Sequence, residues 1–126
     1  MKIKIVSEST GTVIAELTDE NPKTAQRFFD ALPIEGKASL WGDEIYFSIE
    51  VHVEKENSRA VVKEGEIALW VENPSLCIFF GKTPVSTDTE IRAYSDVNVI
   101  GRLSGNADIF RKVKNGEVIR IDKVHD

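Results

Sequence analysis

Cysteine is nearly absent. Cys77 is the only one in 126 residues, so no internal disulfide can form, and a reducing, cytoplasmic setting is the expected location. Basic residues are outnumbered, with 16 Lys and Arg against 21 Asp and Glu and a net charge of −5. A protein that neutralises phosphates needs clustered Lys and Arg. No such run occurs, so neither nucleic acid nor an anionic membrane is an expected partner. No apolar run approaches the roughly 18 residues of a membrane-spanning helix. Met1 to Val6 alternates polar with apolar residues and does not read as a signal peptide. The two histidines, His52 and His125, lie far apart and outside any metal motif, so neither a metal nor another cofactor is expected. Aromatic residues make up only 8%, which makes the position of each one informative.

What is present reads as one mainly β domain over residues 1–126. Lys2–Val6 and Thr12–Leu17 alternate as strands, and Glu8-Ser9-Thr10-Gly11 supplies the turn of a hairpin. A helix is predicted from Pro22 to about Leu32, capped by Asn21 and ended by Pro33. Its Ala25, Phe28, Phe29 and Leu32 fall on one face. Residues 37–53 look extended, interrupted by a turn or bulge at Trp41-Gly42-Asp43-Glu44, and residues 54–60 read as an exposed charged loop. Glu66–Val71 and Leu76–Phe80 are further strands, the second apolar enough to be buried on both faces. A long loop over 82–93, a strand over 96–103, a short helix over 107–113 and a last strand over 117–124 complete the chain. About eight strands and two helices point to a sandwich or a barrel.

Standard catalytic signatures fail on inspection. Gly81-Lys82-Thr83 suggests a phosphate loop, but that motif needs glycine five positions earlier, where Leu76 stands, and a helix afterwards, where Pro84 stands. Cys77 sits inside Leu76-Cys77-Ile78-Phe79-Phe80 and reads as a small buried hydrophobe. His52 alternates with Glu50 and Glu54 and reads as exposed. No Gly-x-Ser-x-Gly elbow is present. The plentiful carboxylates leave open a catalytic pair that no motif picks out.

Three segments in order resemble cyclophilins, the prolyl isomerases built on an eight-stranded barrel capped by two helices. Asn21-Pro22-Lys23-Thr24-Ala25-Gln26-Arg27-Phe28-Phe29 followed by Leu32 is similar to the family's first helix. Gly65–Trp70 and Asn73–Phe80 resemble its Gly-x-x-x-Met-Ala and Ser-Gln-Phe-Phe strands. Val97-Asn98-Val99-Ile100-Gly101-Arg102-Leu103 is similar to the strand before its second helix. Leu40–Phe47 and Phe79–Pro84 are further shared with a small prokaryotic group of minimal cyclophilin-like proteins, a group without an assigned function. The resemblance implies a closed eight-stranded barrel with two short helices.

It also implies a groove, but one whose isomerase residues are changed. Rotation about a peptide bond meets a barrier of about 18–20 kcal/mol, which the family lowers with a proline pocket and a planar, permanently charged arginine. The matching stretch 37–49 contains no arginine. Aligned by order, Trp41 stands at the arginine's place, Tyr46 and Phe47 at a Phe-Met pair, and Ile49 at a glutamine. Trp70 replaces a small alanine, Arg92 the pocket tryptophan and Val97 a histidine. The Phe-Phe strand aligns in two registers, so Ile78, Phe79 and Phe80 are alternative groove residues. The expected function is a binding module. Its groove draws on Trp41, Tyr46, Phe47, Trp70, Ile78, Phe79 and Phe80, with Arg92 as an anion donor, for a small molecule or peptide segment. For the aromatics the plain alternative is core packing, and for Arg92 a solvated loop arginine. A divergent prolyl isomerase is the alternative function, and a scaffold meeting another protein a third.

Overall fold

A computed structural model describes residues 1–125. Ten strands run β1 (Lys2–Ser7), β2 (Gly11–Leu17), β3 (Ile34–Lys37), β4 (Ser39–Trp41), β5 (Glu44–Ser48), β6 (Arg59–Val62), β7 (Glu66–Trp70), β8 (Ser75–Phe79), β9 (Ile91–Leu103) and β10 (Val118–Lys123). Helix α1 (Pro22–Asp30) follows β2, and a 3₁₀ helix (Ala107–Lys112) precedes β10. Nine strands pair in the order β3-β10-β1-β2-β9-β7-β8-β5-β4, and β6 adds to β9. Every strand pairing is antiparallel.

The expected closed eight-stranded barrel is corrected in both respects. Among the described residues there are ten strands, and the terminal strands β3 and β4 are not paired with each other. They are instead consecutive in the chain, joined by Ala38 alone. Ala38 is buried, donates its N–H to Glu117 O (2.8 Å) and accepts from Gly116 N (2.7 Å). The sheet therefore curls until its two ends meet at one residue. Gly36 of β3 approaches the Phe47 ring so closely that a side chain there would collide with it.

The middle of the sheet is buried on both faces, as the apolar β8 predicts. Leu76, Ile78 and Phe80 turn to the main core with Ile45, Phe47, Ile67 and Leu69. Cys77 and Phe79 turn to the opposite face, where they cluster with Val62, Ala68, Ala93, Val97 and Val99. Strand alternation requires this division, because successive side chains leave a strand on opposite sides. A bulge where Ile67 faces Gly101 and Ala68 faces Val99 shifts the phase of β9. Leu103, which alternation would place on the face of Val97 and Val99, consequently joins the main core.

Two elements escaped the sequence pattern. Strand β6 begins within the stretch read as a charged loop and runs beyond it, starting at Arg59, the centre of an ion network. Arg59 Nε and Nη2 donate to the two oxygens of Glu20 (2.6 and 2.9 Å). Nη1 and Nη2 donate to those of Glu66 (3.0 and 2.7 Å), and Nη1 also reaches Val61 O (2.6 Å). Glu66 is only 4% exposed, so the planar guanidinium answers a buried carboxylate on two sides at once. Asn21 occupies the helix cap position but does not cap with its side chain. It donates to Val99 O (2.8 Å) and accepts from Asn57 N (2.6 Å). The capping acceptor is Glu56, whose carboxylate receives the Lys23 and Thr24 N–H groups (3.3 and 3.2 Å). A negative group at a helix start satisfies free donors and complements the dipole.

Candidate functional site

The face of the sheet opposite the main core carries a groove of about 340 Å³. Its floor and walls come from neighbouring strands: Trp41 from β4, Glu44 and Tyr46 from β5, Trp70 from β7 and Cys77 from β8. The first half of β9 supplies Ala93, Tyr94, Ser95 and Val97, and Asn73 closes it from the β7–β8 turn. Register explains the grouping. Trp41 pairs with Glu44 across β4–β5, and Tyr46 pairs with Cys77 across β5–β8. Residues opposite each other in a ladder share a face.

The three rings at the mouth touch edge to face. Tyr94 lies 6.0 Å from Trp41 at 71° and 5.7 Å from Trp70 at 62°. Tyr94 is 71% exposed, so it leans over the groove rather than filling it. Trp70 Nε1 is buried and makes no hydrogen bond. Glu72 nearby is held below the usual carboxylate range, first by Lys55 (2.8 Å).

Glu44 is the polar centre. It is 6% exposed, and burial raises its pKa to about 7, against a smaller lowering by the Cys77 thiol. No Lys, Arg or His among the described residues lines the groove. Cys77 is itself buried, and burial followed by the Glu44 charge pushes its thiol well up. It is thus a poor nucleophile.

The β4–β5 turn is locked against the segment after β8. Gly42 has φ +59°, a conformation that suits glycine. A side chain there would meet Lys82 O and Pro84 Cδ, both 2.9 Å from its first carbon. Asp43 N donates to Lys82 O (2.8 Å), and Phe80 N donates to Asp43 O (2.9 Å). This packing holds Trp41 at the groove's edge and sets Trp41-Gly42-Asp43 against Gly81-Lys82-Thr83-Pro84.

A family model described as cyclophilin-like matches residues 1–122. The chain belongs to the cyclophilin-like family. This cyclophilin-like chain is 43% identical to a hypothetical protein from Archaeoglobus fulgidus whose structure was determined in solution. The match covers 98% of this chain and 95% of that one, with a TM-score of 0.83. No curated protein matches the sequence.

Of the residues singled out in this cyclophilin-like sequence, Trp41, Tyr46 and Trp70 come together at the groove. Phe47, Ile78 and Phe80 do not, because alternation turns them into the main core. Phe79 belongs to the cluster beneath the groove but does not line it. Arg92 does not enter it either. Its guanidinium pairs with Glu90 (2.9 Å). Its backbone anchors the preceding loop, with Arg92 N donating to Ser86 Oγ (3.0 Å) and Arg92 O accepting from Thr83 Oγ1. Sequence reasoning missed Glu44, Asn73, Tyr94 and Ser95. Glu44 carried a usable signal, since it stands two residues before Tyr46 in a strand and so shares its face. Tyr94 carried none, because it fell between the expected loop over 82–93 and the expected strand over 96–103, a stretch that β9 spans.

Among the described residues no group of three or more His, Cys, Asp or Glu is placed to hold a metal ion. No described helix is long and apolar enough to cross a membrane. A second depression, about 520 Å³, lies beside α1 and is lined by Lys23, Arg27, His52 and Lys55 with Glu54 and Glu56. Charges of both signs share it, and Glu56 already occupies the helix N-terminus, so it presents no single chemistry.

Proposed function

We propose that the protein is a binding module, one cyclophilin-like domain of the cytoplasm whose groove takes a small molecule or a short peptide segment. The observation that carries this reading is the groove's lining: four aromatic side chains from four strands around one charged group, Glu44. A concave, mostly apolar site with few polar groups is the usual form of a small-ligand site. A volume of about 340 Å³ lies at the lower end of that class. Isomerase activity is less well supported, because no guanidinium among the described residues faces the groove. Isomerisation needs a fixed donor to favour the twisted amide.

The test uses ¹⁵N-labelled protein and a library of fragments and short peptides, proline-containing ones included. With only two tryptophans, the indole N–H signals of Trp41 and Trp70 report directly on the groove. Binders should move both signals. A library in which no compound moves either one ends the reading. A protease-coupled assay on an Ala-Pro peptide decides the alternative, and a rate above the uncatalysed one would replace binding module with isomerase.

A further inference from the structure

The groove combines an electron-rich wall with an uncompensated acid. Trp41, Tyr46, Trp70 and Tyr94 present rings from β4, β5, β7 and β9. The Tyr94 ring stands at 71° and 62° to the two indoles, so the walls meet at steep angles rather than stacking flat. Glu44 is buried among them, and no Lys, Arg or His among the described residues shares the space. Acids nearby, whether buried or half-exposed, find partners. Glu66 is buried and has Arg59, and Asp43, adjacent to Glu44, has Arg111 at 3.0 Å. Of the two buried carboxylates among the described residues, Glu44 is the one that faces a cavity in place of a cation.

On the reading of the groove as a binding site, we propose that its ligand carries a methylated ammonium group, held by the four rings and by the Glu44 carboxylate. Aromatic faces attract cations through the ring quadrupole, and a methylated ammonium suits them because it is weakly hydrated and donates few or no hydrogen bonds. It needs a counter-charge but no dense donor-acceptor set, which matches one carboxylate among four rings with only Asn73 and Ser95 as neutral polar neighbours beside the Cys77 thiol. Where Glu44 is ionised, an anionic ligand is opposed by its charge and a neutral one leaves that charge unanswered.

Glu44 also gives the ligand a pH signature. The titratable groups that share the groove with it are Tyr46 on its own strand, Cys77 from β8 and Tyr94 from β9, while β4 and β7 supply only indoles. With its carboxyl raised to about 7 by burial, Glu44 gains its charge as pH rises through neutrality. Cation affinity rises with it.

Choline and its neutral isostere 3,3-dimethylbutan-1-ol are titrated into the labelled protein at pH 6 and pH 8. Choline should bind about tenfold or more tightly than the isostere at pH 8, a difference of roughly 1.4 kcal/mol. That preference should shrink at pH 6. Glu44→Gln should abolish it at both pH values. Tyr94→Ala, at a largely exposed position, should weaken choline more than the isostere. Peptides bearing lysine or trimethyl-lysine tell a free ligand from a modified side chain, a tighter trimethyl-lysine peptide pointing to the latter. Equal binding of choline and isostere, or an unaltered preference in Glu44→Gln, overturns the cation assignment while the groove remains a site. So does a library in which only neutral compounds move the indoles. If nothing moves them, both readings fall.

Discussion

Replacing Glu44 by glutamine should stabilise the protein, and by an amount that depends on pH. The folded state raises this carboxyl from 4.5 to about 7, chiefly through burial. Each unit is worth about 1.36 kcal/mol, so ionising the buried group costs the fold about 3 kcal/mol. The direction follows from proton linkage. Between pH 4.5 and 7 the folded protein keeps a proton that the unfolded chain has released, so stability falls as pH rises. Below 4.5 the acid is protonated in both states and resembles the amide. Above 7 the full cost is present. The stability of Glu44→Gln minus that of the parent should thus be near zero at pH 4.5 and rise to about 3 kcal/mol at pH 8. That is a large part of the roughly 5–15 kcal/mol of a typical domain. Urea denaturation of both proteins at half-unit pH intervals measures the difference, in which all other titrations cancel. A difference that stays flat from pH 4.5 to 8 would refute the claim that Glu44 is buried without a compensating charge.

Other substitutions probe the framework. Arg59→Met leaves the buried Glu66 without its guanidinium and should cost about 2–3 kcal/mol in urea at pH 7, less than a fully buried pair because Arg59 is a third exposed. A loss under about 1 kcal/mol would mean that water replaces it. Gly42→Ala forces a side chain into a positive-φ turn and against the 82–84 backbone. It should cost about 2 kcal/mol and shift the Trp41 indole signal, and an unchanged spectrum would contradict the locking role given to this turn. Glu117, despite partial burial, is lowered to about 2 by hydrogen bonds from Ser9 and from the Lys114 N–H. Its contribution is present above pH 4.5 and is lost as pH falls towards 2. Glu117→Gln should destabilise by about 1 kcal/mol at pH 7, discounted for solvent access, with the gap closing in acid.

Much of the strand order was legible where local pattern and tertiary demand coincide. The alternation of Lys2–Val6 and the unbroken apolar run of β8 each state how many faces are buried. Strand β3 was not legible, since Ile34-Glu35-Gly36-Lys37 has no apolar alternation and becomes a strand because β10 offers it a partner. Strand β6 was hidden by Arg59, whose charge reads as solvent-exposed until Glu20 and Glu66 arrive from other strands and turns. The Asn21 cap failed for a related reason, as Glu56 lies more than thirty residues away. At the groove, Trp41, Tyr46 and Trp70 followed from the resemblance to the family. The register of Ile78–Phe80 needed the observed pairing, and Arg92 was drawn away by a neighbour, Glu90, that sequence order alone does not favour over the groove.

The joint at Ala38 has a consequence for how the molecule meets its neighbours. A curled sheet that failed to close would ordinarily leave two unpaired borders, each a template for another chain. Here one border begins where the other ends, and the turn at Gly116 and Glu117 clamps the residue between them. The two borders cannot separate without breaking that clasp. New chain ends introduced at position 38 would sever it and free the two borders to part, each able to recruit another copy strand by strand.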